Sequence, residues 1–325
     1  MGALKIDPDF LQRMHELGPS PDLPQITTPL QYRARADAYI GSLLNFTIPD
    51  NVIETKFTIV SYDGSKIEVY RFQREDMADQ PTSSPALIYA HGGGIVACEL
   101  KTVTRPEVAL LVAESGVQAF AMEYRMAPEY PYPTPVEDCY ATLKWVFDHA
   151  GELMVDPTRV AVIGESGGAG LAVGVAFLAR DRGLSPPLAK QILIYPMLDN
   201  MSPSNVKIDD PRRRFVSDYV NYTRICWDAY LGADNREKRT DQIPYHGSPA
   251  RAEDVSGLPS TYLDVGSLDL FRDESLAFAL KVAAAGIDVE MHLYSGVPHC
   301  FDMIAPNIAI TRNARENRIR AIRNM

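Results

Sequence analysis

The feature that most narrows the fold is a five-residue turn, Gly164-Glu165-Ser166-Gly167-Gly168, set between the apolar stretch 160–163 and a small-residue stretch that begins Ala169-Gly170-Leu171-Ala172. The first stretch reads as a strand and the second as a helix, so the serine stands at the apex of a sharp strand-to-helix turn. A turn of this kind strains its central residue and brings strand and helix close together. The flanking positions must therefore be small, as Gly164, Gly167 and Gly168 are.

The rest of the chain extends this unit into an α/β fold. Eight stretches read as strands: residues 57–62, 67–72, 86–90, 118–124, 160–163, 191–195, 261–265 and 289–294. The first two are joined through Asp63-Gly64, a turn pair that favours an antiparallel hairpin. Later strands alternate with helical stretches at 106–114, 136–149, 166–180 and 274–285, which implies parallel strands with crossover helices. Runs such as Ile192-Leu193-Ile194 are apolar on consecutive positions, as expected where helices cover both sheet faces. The expectation is one domain over 1–325, with an eight-stranded, mostly parallel sheet and an antiparallel start. Two helical stripes fall outside the alternation: Phe10, Leu11, Met14 and Leu17, and Phe215, Tyr219, Tyr222, Cys226 and Tyr230. They are expected to belong to a helical lid from about 1–50 and 200–245 over a core of about 55–199 and 246–325, the alternative being helices that only extend the core.

Charge and composition exclude several classes of function. A net charge of -10 argues against a nucleic-acid partner, and the basic cluster Arg212 to Arg214 reads as a solvated helix start. No apolar run is long enough for a membrane span, and the first residues lack a signal-peptide core, so a cytoplasmic protein is expected. Cys98, Cys139, Cys226 and Cys300 lack metal-ligand or redox spacing and read as reduced, mostly buried thiols. Neither a G-x-G-x-x-G after a first strand nor a P-loop occurs, and His and carboxylates do not cluster; no cofactor and no metal are expected.

The chemistry points to acyl transfer. His91-Gly92-Gly93-Gly94 follows the strand 86–90, and backbone amides free of side chains can aim at a tetrahedral oxyanion. The amides of Gly93, Gly94 and Gly167 are the candidate oxyanion hole. A serine needs a base, and the base needs a partner that fixes its tautomer. Of six histidines, His299 lies in the loop after the last strand, on the side of the elbow; His91 is expected to shape the glycine loop instead. Asp269 follows the strand 261–265, and the order Ser166, Asp269, His299 is that of an α/β-hydrolase triad. Asp273 and Glu274 read as the acidic first turn of a helix, and Asp264 as facing a neighbour at the strand end.

With these pieces in place the chain resembles the hormone-sensitive-lipase-like (family IV) esterases over most of residues 85–302. The matching motifs are His91-Gly92-Gly93-Gly94, Tyr124-Arg125-Met126-Ala127-Pro128-Glu129 with Val136-Glu137-Asp138, the elbow, Asp269 with Asp273-Glu274, and Tyr294, Gly296 and His299. The resemblance implies an α/β-hydrolase fold with a helical lid, no cofactor, esters of short to medium acyl chains as small-molecule substrates, and a homodimer paired through the last strand. The chain departs from the pattern at Glu165, where Asp is usual, at Tyr130, where His is common, and at Cys300, where Gly is usual and where a larger residue could crowd His299. The reading is a serine carboxylesterase. The alternatives are a hydrolase of one lactone, thioester or formamide, and, less favoured because the triad is whole, a non-catalytic small-molecule receptor.

Overall fold

The computed structural model describes residues 4–18, 24–44, 47–78, 82–202, 210, 212–232 and 243–325. Eight strands, β1 (Val52–Val60), β2 (Lys66–Arg74), β3 (Ser84–Ala90), β4 (Gln118–Met122), β5 (Val155–Glu165), β6 (Lys190–Ile194), β7 (Ser260–Gly266) and β8 (Val289–Tyr294), form one sheet in the order β1-β2-β4-β3-β5-β6-β7-β8. β2 runs antiparallel to both β1 and β4, and every other pairing is parallel. The eight strands and the antiparallel start are those read from the sequence. Their ends differ: β1 begins at Val52 rather than 57, and β5 begins at Val155 rather than 160, past an irregularity in its register with β3. Segments such as Val52 to Lys56 carry charge at every other position and lie on the sheet's exposed margin, so no apolar pattern marks them.

Alternate residues of the central strands enter two different cores, which is why those strands are apolar throughout. On β3, Ala86, Ile88 and Ala90 pack with helices Thr134–Asp148, Gly167–Asp181 and Arg272–Ala284, while Leu87 and Tyr89 pack with helices Arg105–Ser115 and Ala309–Arg323. The last helix escapes sequence reading because its buried face is Thr311, Ala314, Arg318, Ala321 and Ile322, in which small and polar side chains outnumber the single large aliphatic one. Arg318 compensates for its burial with charge: it donates to Asp264 on β7 at 2.7 and 3.0 Å and to Asp302. This gives Asp264 the neighbour expected for it.

Helix Pro29–Leu43, capped by Thr28 and Gln31, leaves its side chains at most partly buried, Tyr32, Ala36 and Ile40 among them, and was likewise not distinguished from its surroundings. Helix Pro8–Leu17 forms as expected, but it buries Phe10 only; Leu11 and Leu17 of its stripe are exposed. Helix Arg213–Leu231 ends at Gly232 and buries Cys226 and Tyr230, with Tyr219 and Tyr222 half-buried; the Phe215 side chain lies outside the described residues, as do 203–209 and 233–242 of the expected lid. No described helix is long and apolar enough to cross a membrane.

Because Arg318 neutralises two buried carboxylates, Arg318→Met should lower stability by about 3–5 kcal/mol, the range for breaking a buried ion pair on one side. Urea unfolding checks this, and a loss under about 1 kcal/mol would show that the carboxylates find other compensation.

Candidate active site

Ser166 stands between β5 and helix Gly167–Asp181 with φ 52° and ψ -118°, a backbone region that L-residues avoid. The surroundings hold it there. Its N–H donates to the Ile194 carbonyl at 2.9 Å, and its own carbonyl accepts from Ala169 at 3.1 Å and from Met197 at 3.0 Å. A Cβ on Gly168 would overlap the carbonyl oxygens of Ala90 and His91, and one on Gly164 would overlap the Gly168 backbone, so two glycines of the motif are steric requirements. A Cβ on Gly167 would stand 2.9 Å from the Gly94 Cα and the Ile95 nitrogen, which shows how closely the elbow abuts the glycine loop.

That loop turns through positive φ at Gly93 (94°) and Gly94 (63°), and the Gly93 carbonyl accepts from Val96 and Ala97 at 3.1 and 3.0 Å. His91 is buried and stacked on Tyr124, centroids 4.1 Å apart, with Nδ1 2.9 Å from the Gly92 carbonyl. Burial lowers its pKa to about 4, so the ring stays neutral and acts as part of the loop's framework.

The other two chemical groups arrive from the ends of β7 and β8. His299 Nε2 lies 2.9 Å from the Ser166 Oγ, and Nδ1 lies 2.8 Å from an Asp269 carboxylate oxygen. The second Asp269 oxygen accepts from the Phe271 N–H at 2.8 Å. Asp269 is fully buried, and Ser166 and His299 are only 9% and 6% exposed, so the chain of hydrogen bonds is shielded from bulk water. Tyr195, Phe271 and Tyr219 pack edge-on against the imidazole at 4.8, 5.0 and 5.7 Å. Burial favours the neutral ring and the Asp269 carboxylate favours the charged one; the net direction is upward from the ordinary histidine value. A hydroxyl facing an imidazole whose far nitrogen is fixed by a carboxylate can lose its proton to that imidazole as it attacks a carbonyl. Among the described residues no three or more His, Cys, Asp or Glu side chains group as a metal site would need.

Two of the three departures from the family pattern, Cys300 and Glu165, find local explanations. Cys300 has φ 54°, a conformation that glycine adopts without strain, and His299 nevertheless keeps both its hydrogen bonds. Burial pushes the Cys300 thiol up, so it sits beside the imidazole uncharged. Glu165 is buried, accepts from the Tyr89 hydroxyl at 2.9 Å, and is raised by burial to about 7. All four cysteines are free, three of them buried. His292, His246 and His149 are engaged elsewhere, with Glu290, Asp181 and the Trp145 carbonyl.

Three supports of the site escaped the sequence reading. Arg212 is buried rather than solvated: it pairs with Asp210 and Asp273 at 2.8 and 2.6 Å and donates to the Asp269 carbonyl at 3.1 Å. Its flanking aspartates signalled pairing, but nothing local pointed to Asp269. Asp273 and Glu274 both stand in the first turn as expected, but each does more: Asp273 pairs with Arg212, and the Glu274 carboxyl accepts from the Leu198 N–H at 2.6 Å and fixes the loop after β6. Arg33 donates to the carbonyls of Val96 and Ala127 at 2.6 and 2.8 Å and takes Glu129 at 2.9 and 2.6 Å, fastening helix Pro29–Leu43 to the chain beyond the glycine loop.

Fold and site together define an α/β-hydrolase with a serine-histidine-aspartate constellation at its sheet edge. A family model described as the alpha/beta hydrolase fold matches residues 87–303, and the chain belongs to that family, in its hormone-sensitive-lipase-like branch. Over 211 residues it is 34% identical to esterase LipI of Mycobacterium tuberculosis, covering 64% of this chain and 63% of that one. Over 209 residues it is 35% identical to carboxylesterase NlhH of the same species, again covering 64% and 63%. The matches thus span slightly less than two thirds of these relatives. Among solved structures, a bacterial heroin esterase superposes with a TM-score of 0.84 at 30% identity, covering 98% of both chains.

The backbone oxygens facing Gly168 cannot withdraw without moving β3. Gly168→Ala should therefore cost at least the about 1–3 kcal/mol typical of overpacking, and should misplace Ser166. Denaturation midpoints unchanged from the parent would show that the elbow tolerates the methyl.

Proposed function

We propose that the chain is a serine carboxylesterase that hydrolyses carboxylic esters through an acyl-enzyme on Ser166. The observation that carries the reading is the hydrogen-bond chain from Ser166 through His299 to Asp269, built on a strained, glycine-braced turn. In this mechanism Ser166 Oγ bonds to the ester carbon while its proton passes to His299 Nε2. The oxyanion takes the amides of Gly93, Gly94 and Gly167, and His299 then protonates the departing alkoxide as the C–O bond breaks. Water repeats the sequence on the acyl-enzyme, releasing the acid and restoring Ser166. The proton of Ser166 leaves on the alcohol by way of His299 and a proton of water returns to Ser166 by the same route, so ester and water give acid and alcohol, His299 ends neutral, and the reaction balances without a cofactor. Asp269 positions the imidazole and stabilises its charged form.

Helices Pro29–Leu43 and Arg213–Leu231 are assigned as parts of a lid, because Tyr219 packs on His299 while Cys226 and Tyr32 stand over Gly94. Such close cover favours short to medium acyl chains. A homodimer across β8 is the assembly supported by the surface: β8 ends the sheet, and Leu293 on it and Leu280 on the adjoining helix are 47% and 71% exposed. The same triad would serve a lactone, thioester or formamide, and activity on one of those alone would change the substrate without changing the roles.

Hydrolysis of p-nitrophenyl esters from acetate to palmitate should favour the short end, and Ser166→Ala should abolish turnover in a folded protein. A folded parent that cleaves no acyl compound and takes no phosphonate on Ser166 would leave a binding protein instead. As His299 must be neutral to act as base, activity should fall as pH drops through its pKa, with half-loss above the ordinary value of about 6.5 because that pKa is raised. A kcat/KM profile flat from about pH 5 to 8 would remove His299 from the role. Asp269→Asn should lower kcat by about 10⁴-fold and, by removing the carboxylate charge, move the remaining acid limb downward; an unmoved limb would mean that the carboxylate does not set it.

A further inference from the structure

One hydroxyl beside the glycine loop has no part in the triad. Tyr32, on helix Pro29–Leu43, places its oxygen 3.6 Å from where a Cβ on Gly94 would stand, so the phenol reaches the loop that presents the oxyanion amides. We propose that the Tyr32 hydroxyl is a substrate-contacting hydrogen-bond donor, delivered from the N-terminal helix to the ester oxygens at the glycine loop. The assignment rests on the esterase reading above.

Three features support it. Over Gly94 the phenol's neighbour is the Cys226 sulfur, 2.6 Å from the same position, and sulfur is a weak acceptor, so a carbonyl oxygen or an oxyanion would compete for the phenol's proton at little cost. The residues around Tyr32 fix its helix to the loop: Arg33 binds the carbonyls of Val96 and Ala127, and Asp37 accepts from the Cys98 N–H at 2.6 Å. A donor held before the reaction begins needs no reorganisation when charge develops, which is the condition under which such donors are most effective. A run of rings also links the phenol to the histidine, from Tyr32 to Tyr222 at 5.8 Å, Tyr222 to Tyr219 at 6.3 Å and Tyr219 to His299 at 5.7 Å, so Tyr32 belongs to the aromatic group that covers the site. Burial holds the Tyr32 phenol well above its ordinary range, so it remains a donor throughout the pH range in which His299 works.

The test is Tyr32→Phe, assayed on the short esters that the parent cleaves. Removing one oxyanion-hole donor elsewhere costs about 10²–10³-fold in kcat; for a donor shared with Cys226 we expect a fall of about ten- to a hundredfold in kcat, with KM changed by less than about threefold. Phosphonylation of Ser166, which forms the same tetrahedral geometry, should slow in parallel, while the thermal midpoint and the acid limb of the pH profile stay put. Cys226→Ala separates the two roles the phenol could have, because it removes the intramolecular acceptor and leaves the donor. Turnover retained in Cys226→Ala but lost in Tyr32→Phe supports contact with substrate. Equal losses in both, or a Tyr32→Phe enzyme within about twofold of the parent, would overturn it. A parent inactive on all esters, or an active Ser166→Ala, would instead defeat the esterase reading itself.

Discussion

Everything at the sheet edge depends on one backbone conformation. Ser166 at φ 52° is a strained residue, and the strain persists because every direction of relaxation is blocked: the peptide on one side is bonded to Ile194, the carbonyl on the other to Ala169 and Met197, and the glycine positions leave no room for the turn to open. The same close packing sets the glycine loop against the elbow. The position of Gly94 relative to Gly167 thus follows from the turn that positions Ser166 rather than from a separate device.

Around that centre the supports converge from remote parts of the chain. Glu274 fixes the loop after β6, Arg212 the carbonyl of the acid loop, and Arg33 with Glu129 the strand exit beyond the glycine loop. Each is a polar side chain whose partners include backbone groups, so it fixes where a loop runs and not merely how two side chains pair. The two guanidinium groups give charge-assisted bonds, roughly twice as strong as neutral ones, while burial holds the Glu274 carboxyl well above its ordinary range and shields its bond to Leu198 from solvent. The site is rigid because its loops are pinned individually.

This division explains what could be read from the sequence. The sheet was legible because central strands covered on both faces must be apolar at every position, and the elbow and glycine loop because steric demand restricts them to glycine. Ser166, Asp269 and His299 followed from chemistry plus their place after strands. Arg212 was read as a solvated charge because burial of an arginine depends on partners 57 and 61 positions away, which no local pattern encodes. The C-terminal helix was silent for a related reason: its contact face buries an arginine between Asp264 and Asp302, so its hydropathy is that of a surface helix. Helix Pro29–Leu43 packs Tyr32, Ala36 and Ile40 on the chain around Ala97 and Cys98, but none of them is fully buried and its firmest ties are polar, so its periodicity is weak.

The position of Arg212 carries one more consequence. It immediately precedes helix Arg213–Leu231, yet its guanidinium serves the carbonyl of Asp269. Any displacement of that helix that carries Arg212 with it takes a donor from the residue that orients the histidine. The helix's position and the alignment of the imidazole are then thermodynamically linked, and linkage is reciprocal. A change that tightens the histidine's alignment would then also favour the helix position that keeps Arg212 on the Asp269 carbonyl.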